Sequence, residues 1–206
     1  MQVPYNLPGS RRWAWMDIYS RMLQERILFL NQPLTDDVAN SLVSFLLYLD
    51  SDDASKPIYL YINSLGDPMM AGMTDASAGM MSITAGLAVY DTISYLKAEV
   101  ITICLGQAIG MAAVLLSCGT KGKRSSLPNS SMALMHSYSG MRGQATDIEL
   151  KANEVLGKKS LITKILSENT GQTVEKIHKD MERIFYLTPQ EAMDYGLIDR
   201  VIEKPS

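Results

Sequence analysis

Val100-Ile-Thr-Ile-Cys-Leu-Gly-Gln-Ala-Ile-Gly-Met-Ala-Ala113 decides how this chain is built. Its first half is an apolar run rich in β-branched residues and reads as a buried strand, while Gly106-Gln107-Ala108 leads through a turn into small helix formers. A strand, a sharp turn and a helix in that order present one residue at a helix N-terminus, the seat in which many hydrolases place a nucleophile. The residue in that seat is Gly110, which has no side chain with which to attack.

Outward from this segment, β and α patterns alternate. Thr35 followed by Asp36 and Asp37 marks a helix start with acids at the positive dipole end, and Val38, Leu42, Phe45, Leu46 and Leu49 give it one apolar face. Ile58 to Ile62 reads as a strand. Thr84 to Lys97 reads as a helix, with Leu87, Tyr90, Ile93, Tyr95 and Leu96 on or near its packed side. Thr146-Asp-Ile-Glu149 has the spacing of a capping box, and Ile148, Ala152, Val155, Ile162, Ile165 and Leu166 carry a long helix toward Gly171. Thr188-Pro-Gln-Glu191 repeats the box with proline at the first helical position. Repeated β-then-α segments predict an α/β class.

Composition narrows the function. The 206 residues are 47% hydrophobic with no linker-like stretch, which predicts one domain with a sizeable core. A net charge of −3 with dispersed Lys and Arg provides no basic stripe for nucleic acid. The most apolar stretch, Val100 to Cys118, is broken by Gly106, Gln107 and Gly110, so no membrane span is expected. Residues 1–10 lack the apolar core of a secretory signal. Cys104 and Cys118 sit in apolar runs and read as small packing groups in a reducing compartment, without the spacing of a metal site. No metal or cofactor is expected.

Five segments carry a resemblance to a known family. Ile58-Tyr-Leu-Tyr-Ile-Asn-Ser64, Gly119-Thr-Lys-Gly-Lys-Arg124, Leu127-Pro-Asn-Ser130, Gly143-Gln-Ala-Thr-Asp-Ile-Glu149 and Tyr195-Gly-Leu-Ile-Asp199 occur in the order and spacing of Clp protease proteolytic subunits, from about Ile18 to Ile202. The chain resembles that family, and more nearly its ClpR branch of chloroplasts and cyanobacteria, whose members look like Clp subunits with a broken active site. The resemblance implies a Clp/crotonase-like β-α superhelix with a protruding handle helix. It divides residues 1–206, as one domain, into an N-terminal segment (1–17), an insertion loop (65–81) absent from ordinary Clp subunits, and a handle (143–170).

The resemblance also assigns the site. The family turn Gly-Gln-Ala-Ala-Ser-Met-Gly carries its nucleophile where Gly110 stands. The family histidine, in Met-Ile-His-Gln-Pro, falls on Met135 in an ungapped reading. His136 is one residue away and on the other face of a strand, although a local bulge would bring it round. The family aspartate, ending Glu-Arg-Asp, falls on Ile184, which can neither orient an imidazole nor stabilise its charge. The family's Ser-Pro-Gly-Gly segment, which helps bind the oxyanion, reads Ser64-Leu65-Gly66-Asp67, placing an acid where negative charge would develop. Loss of a triad leaves a residual acceleration of only about 10³–10⁴ over water, from the oxyanion hole and binding. With that segment altered too, no peptidase activity is expected.

What remains is assembly. The resemblance implies a non-catalytic subunit of a mixed Clp core in the chloroplast stroma or the cyanobacterial cytoplasm. Its expected partners are catalytic Clp proteolytic subunits, other ClpR-type subunits and a Clp ATPase chaperone. Gly143, Gln144, Thr146, Asp147, Ile148 and Glu149, with Glu182 and Arg183, match ring-to-ring contact positions. Met69, Met70, Met73, Met80 and Met81 make the insertion either a flexible apolar lining of the groove or a tolerated surface loop, and Tyr59 and Tyr61 read as core or subunit packing on a strand that, by the resemblance, borders the ATPase-docking pockets. Two other readings stay open: a peptidase using Ser117, Ser130 or Ser131 with His136, and a crotonase-like acyl-thioester enzyme, for which only Asp67 offers a carboxylate.

Overall fold

The computed structural model describes residues 2–6, 13–72, 78–136 and 144–203. An antiparallel pair, β1 (Gln2–Asn6) and β2 (Trp13–Asp17), leads into α1 (Ile18–Gln24). Then follow β3 (Ile27–Leu30), α2 (Asp36–Asp52), β4 (Ile58–Ser64), a 3₁₀ turn (Pro68–Ala71), α3 (Ala78–Tyr95), β5 (Val100–Ile109) and α4 (Met111–Ser117). The chain continues through β6 (Ser125–Ser126), β7 (Ser131–Leu134), α5 (Ala145–Thr170), α6 (Val174–Asp180), β8 (Phe185–Leu187), α7 (Pro189–Tyr195) and β9 (Arg200–Val201). Mixed α/β architecture around a parallel sheet is what the alternating sequence predicts.

The sheet runs β3-β4-β5-β6-β9, all parallel, and β7 joins it beside β5 while pairing antiparallel with β8. Ten-residue β5 is long enough to serve two neighbours. Ile103 and Cys104 pair with β6, whereas Gln107 to Ile109 pair with β7. On β4, Ile58, Leu60 and Ile62 are fully buried, and the alternate residues Tyr59 and Tyr61 lie half-buried on the other face. Helix α4 has no exposed face, so it is built from small and apolar residues, and Gly86 of α3 leaves the space that the Met111 side chain fills.

The structure corrects several sequence-based expectations. Helix α3 begins at Ala78, because Met80 and Met81 are good helix formers, so residues 78–81 of the expected insertion loop are helical and 68–71 form the 3₁₀ turn. Residues 73–77, which include Met73, and Gly143 lie outside the described residues. Tyr95 is 80% exposed, since the buried stripe of α3 runs through Ala85, Val89 and Ile93 at four-residue spacing. Phe45 is likewise exposed, the stripe of α2 being Ala39, Leu42, Leu46 and Leu49. The Thr146 capping box does not form: α5 starts at Ala145 with Gln144 as its cap, which puts Thr146 inside the first turn. Thr188 does form its box, with Thr188 Oγ1 accepting from Glu191 N at 3.3 Å and Thr188 N donating to Glu191 Oε2 at 2.8 Å. The buried residues of α5, Ile162, Thr163, Ile165 and Leu166, lie in its second half, which packs on the body.

Two motifs far apart in sequence meet in one buried ion pair. Arg124 is 4% exposed. Its Nε and Nη2 donate to Asp199 Oδ2 and Oδ1 at 3.0 and 2.7 Å, and its Nη1 donates to the carbonyls of Ser117 and Asn169 at 3.2 and 2.9 Å. The guanidinium thus ties the ends of α4 and α5 to the residue before β9. Burial pushes the Asp199 carboxyl up, but the hydrogen bonds and charge of Arg124 outweigh it and hold the group below the ordinary carboxylate range. Asp199→Ala leaves that guanidinium buried without its counter-ion, and it should cost about 3–5 kcal/mol in urea denaturation.

Candidate active site

Gly110 sits between β5 and α4 with φ +54° and ψ −118°, in a region that residues with side chains avoid. Its N–H donates to the Ala133 carbonyl of the adjoining strand at 2.9 Å, and its own carbonyl accepts from Ala113 N at 3.0 Å and Val114 N at 3.2 Å. The turn is therefore fixed from both sides. A Cβ built on Gly110 would have the Met135 side chain as its nearest neighbour, at 3.5 Å. Met135 forms a small buried apolar cluster with Ile109 and Ala133, and Leu65, Met70 and Ile184 pack against it. The structure thus brings Gly110, Met135 and Ile184 to one place, from the end of β5, the end of β7 and the approach to β8. Dispersion and apolar burial hold these side chains together.

His136 lies elsewhere. Half-buried, its ring is 6.5 Å from that of His178 on α6. Burial pushes its pKa down to about 4, helped by the charges of Lys159 on α5 and of His178. Its Nδ1 is buried with no hydrogen-bond partner among the described residues. The candidate serines are engaged locally: Ser117 and Ser130 donate to the carbonyls of Val114 and Leu127 at 2.7 and 2.8 Å. Ser131 is exposed on β7.

The segment facing Gly110 is pressed onto the turn. Gly66 has φ +69°, and a Cβ there would run into the Ile109 carbonyl and come within 2.9 Å of Ala112 N. Only glycine permits that approach. Asp67 is 1% exposed, and its Oδ1 accepts from Met69 N at 2.9 Å. Among the residues matched to ring contacts, Gln144, Thr146, Asp147, Ile148 and Glu149 are exposed at the start of α5, as are Glu182 and Arg183 after α6. Leu150, Leu156 and Leu161 add exposed apolar side chains to the same helix. Burial pushes the thiols of Cys104 and Cys118 up, to about 11 and about 12, which keeps them protonated packing groups. A cavity of about 620 Å³ opens between α1, β3 and α2, and none of Gly110, Met135 and Ile184 lines it.

The sequence reading missed Ile109 and Ala133 as the floor of the apolar cluster. Their signal was available in the strand period, since both alternate with residues that face the core. Met70 and Leu65 were legible only as members of a Met-rich insertion and an altered oxyanion segment.

Comparison with known proteins supplies the family. The Clp protease family profile matches residues 10–205. The chain is 52% identical over 205 residues to the ATP-dependent Clp protease proteolytic subunit 2 of Prochlorococcus marinus (strain NATL2A), covering 99% of this chain and 96% of that one. It is equally identical, with the same coverage, to proteolytic subunit 3 of Parasynechococcus marenigrum (strain WH8102).

Two outcomes follow from this geometry. Gly110→Ser has room for its Cβ but must adopt the same positive φ, so it should cost about 1–3 kcal/mol by denaturant unfolding and yield no hydrolysis of fluorogenic peptides. Peptide turnover by that single variant would show that an imidazole already reaches position 110. The second outcome concerns pH. With its folded pKa held below the ordinary 6.5, His136 leaves the unfolded chain to take up the proton first as pH falls. Stability should therefore be undiminished above about pH 6.5 and decline toward pH 4, by about 1 kcal/mol after allowing for solvent screening. Differential scanning fluorimetry of wild type against His136→Gln should show that decline shrinking in the variant.

Proposed function

The chain belongs to the Clp protease family, and from that premise we propose that it is a non-catalytic, ClpR-type structural subunit of a hetero-oligomeric, ATP-dependent Clp protease core. The observation that carries the reading is Gly110 in the strained turn, with the Met135 side chain as the nearest neighbour of any Cβ placed there. Acyl transfer by this family's chemistry needs a nucleophile, a base within hydrogen-bond reach and a group that orients the base. Gly110, Met135 and Ile184 carry none of these functions, and Met135 and Ile184 pack in an apolar cluster instead. A displaced relay through His136 gains no support, because that ring faces α5 and α6.

The subunit's contribution then lies in contacts. Helix α5 is 26 residues long, and its first half leaves Ile148, Leu150 and Leu156 exposed. Exposed apolar residues along one projecting helix suit burial against another subunit. On this reading the chain occupies ring positions beside catalytic Clp subunits, lowers the number of active sites and varies the surface offered to the ATPase. It would work in the compartment of its catalytic partners, the cyanobacterial cytoplasm or the chloroplast stroma.

Assembly is the test. Ile148→Asp with Leu156→Asp would place unpaired charges at the subunit boundary, weakening association by about 3–5 kcal/mol. Native mass spectrometry after co-expression with catalytic Clp subunits should find the wild-type chain in mixed oligomers and the double variant largely excluded. A wild-type chain that stays monomeric beside those partners would overturn the proposal.

A further inference from the structure

Besides the three positions around Gly110, one buried acid has an unexplained arrangement. Asp67 is 1% exposed, yet its Oδ2 has no hydrogen-bond partner among the described residues. Leaving a buried carboxylate oxygen unsatisfied is costly, so the placement calls for a compensating role. Its other oxygen supplies one: Oδ1 accepts from Met69 N at 2.9 Å and caps the 3₁₀ turn, with Pro68 at the first position of that turn.

We infer that Asp67 is a positioning residue that shuts the electrophile side of the groove, holding Leu65 to Met70 against the Gly110 turn with the segment's own N–H donors turned away from it. This rests on the non-catalytic reading and adds a second block beyond the missing functional groups at positions 110, 135 and 184. An oxyanion is stabilised only by N–H groups already aimed at the place where charge develops. Here both candidates are spent internally. Gly66 N donates to Ser64 Oγ at 2.9 Å, and that hydroxyl is itself fixed by donating to the Gln32 carbonyl at 2.6 Å. Asp67 N donates to the Leu65 carbonyl at 2.7 Å. The Gly66 carbonyl accepts from Leu34 N at 2.8 Å, which pins the segment from behind. With the turn capped, Leu65 and Met70 at its two ends pack on the cluster of Ile109, Ala133 and Met135. Restoring nucleophile, base and orienting acid therefore leaves the opposite wall closed, and it adds a carboxylate beside the place where negative charge must grow.

The experiment uses a phosphonofluoridate probe and intact-mass detection on three chains: Gly110→Ser/Met135→His/Ile184→Asp, the same with Asp67→Gly, and the same with Asp67→Asn. In the labelling step the hydroxyl introduced at position 110 forms an O–P bond, the P–F bond breaks, fluoride leaves and the hydroxyl proton passes to the imidazole introduced at position 135. Adding Asp67→Gly should speed labelling by about 10²-fold, the scale on which one oxyanion donor acts. Asp67→Asn keeps a capping oxygen and should not. In the otherwise wild-type chain, amide exchange at Met69 should quicken about tenfold with Asp67→Gly, as expected for one lost hydrogen bond, and stay unchanged with Asp67→Asn. That second measurement decides the matter even if the multiply substituted chains fold poorly. Equal labelling with and without Asp67→Gly, including none in either, or unchanged Met69 exchange, overturns the inference. Labelling of the wild-type chain would instead overturn the non-catalytic reading and leave the Asp67 comparison to its own result.

Discussion

The turn at Gly110 is the constraint from which the rest of this structure follows. Strand β5 is committed along its length, to β4 on one edge and to β6 and then β7 on the other, so it cannot slide to relieve its end. Immediately beyond that end the chain must enter α4, a helix buried on every side. The change of direction is made in one residue at positive φ, and glycine makes it without the strain that a side chain would bring. A serine in the same place holds that strain in exchange for a nucleophile. This chain keeps the geometry and carries no nucleophile there.

Around that turn, the side chains meet in apolar packing. Met135 and Ile184 offer polarizable and branched apolar surface, and they pack with Ile109 and Ala133 in one cluster. The buried polar groups of the domain do their work elsewhere. Arg124 and Asp199 join the ends of α4 and α5 to the final strand, stabilising the frame that carries the long helix. The body and α5 are thus linked, and the exposed Ile148, Leu150 and Leu156 of that helix make contact, in the proposed reading, the function that remains.

Much of this was legible in the residues, and the failures have physical causes. The α/β alternation, the Thr188 box and the stop at Gly171 are set by local chemistry, which a sequence displays directly. The convergence of Gly110, Met135 and Ile184 was legible only through family resemblance, because it depends on β5, β7 and β8 meeting in three dimensions. The start of α5 departs from the expectation because Thr146 and Glu149 have box spacing but Thr146 lies two residues past the cap position at Gln144. Tyr95 and Phe45 were misread because an apolar side chain near a helical stripe is not necessarily on it, and only packing decides which neighbours cover it. Asp67 showed as an anion in an oxyanion segment, whereas its capping bond to Met69 depended on the 3₁₀ turn, which no local motif announced.

On the proposed reading this chain sits in a working protease core without doing chemistry. The most direct measurement is intact-mass analysis of a native, peptidase-active mixed Clp complex after saturating treatment with a phosphonofluoridate. The account predicts that the catalytic subunits gain the mass of the adduct while this chain stays at its unmodified mass. An adduct on any residue of this chain would contradict it.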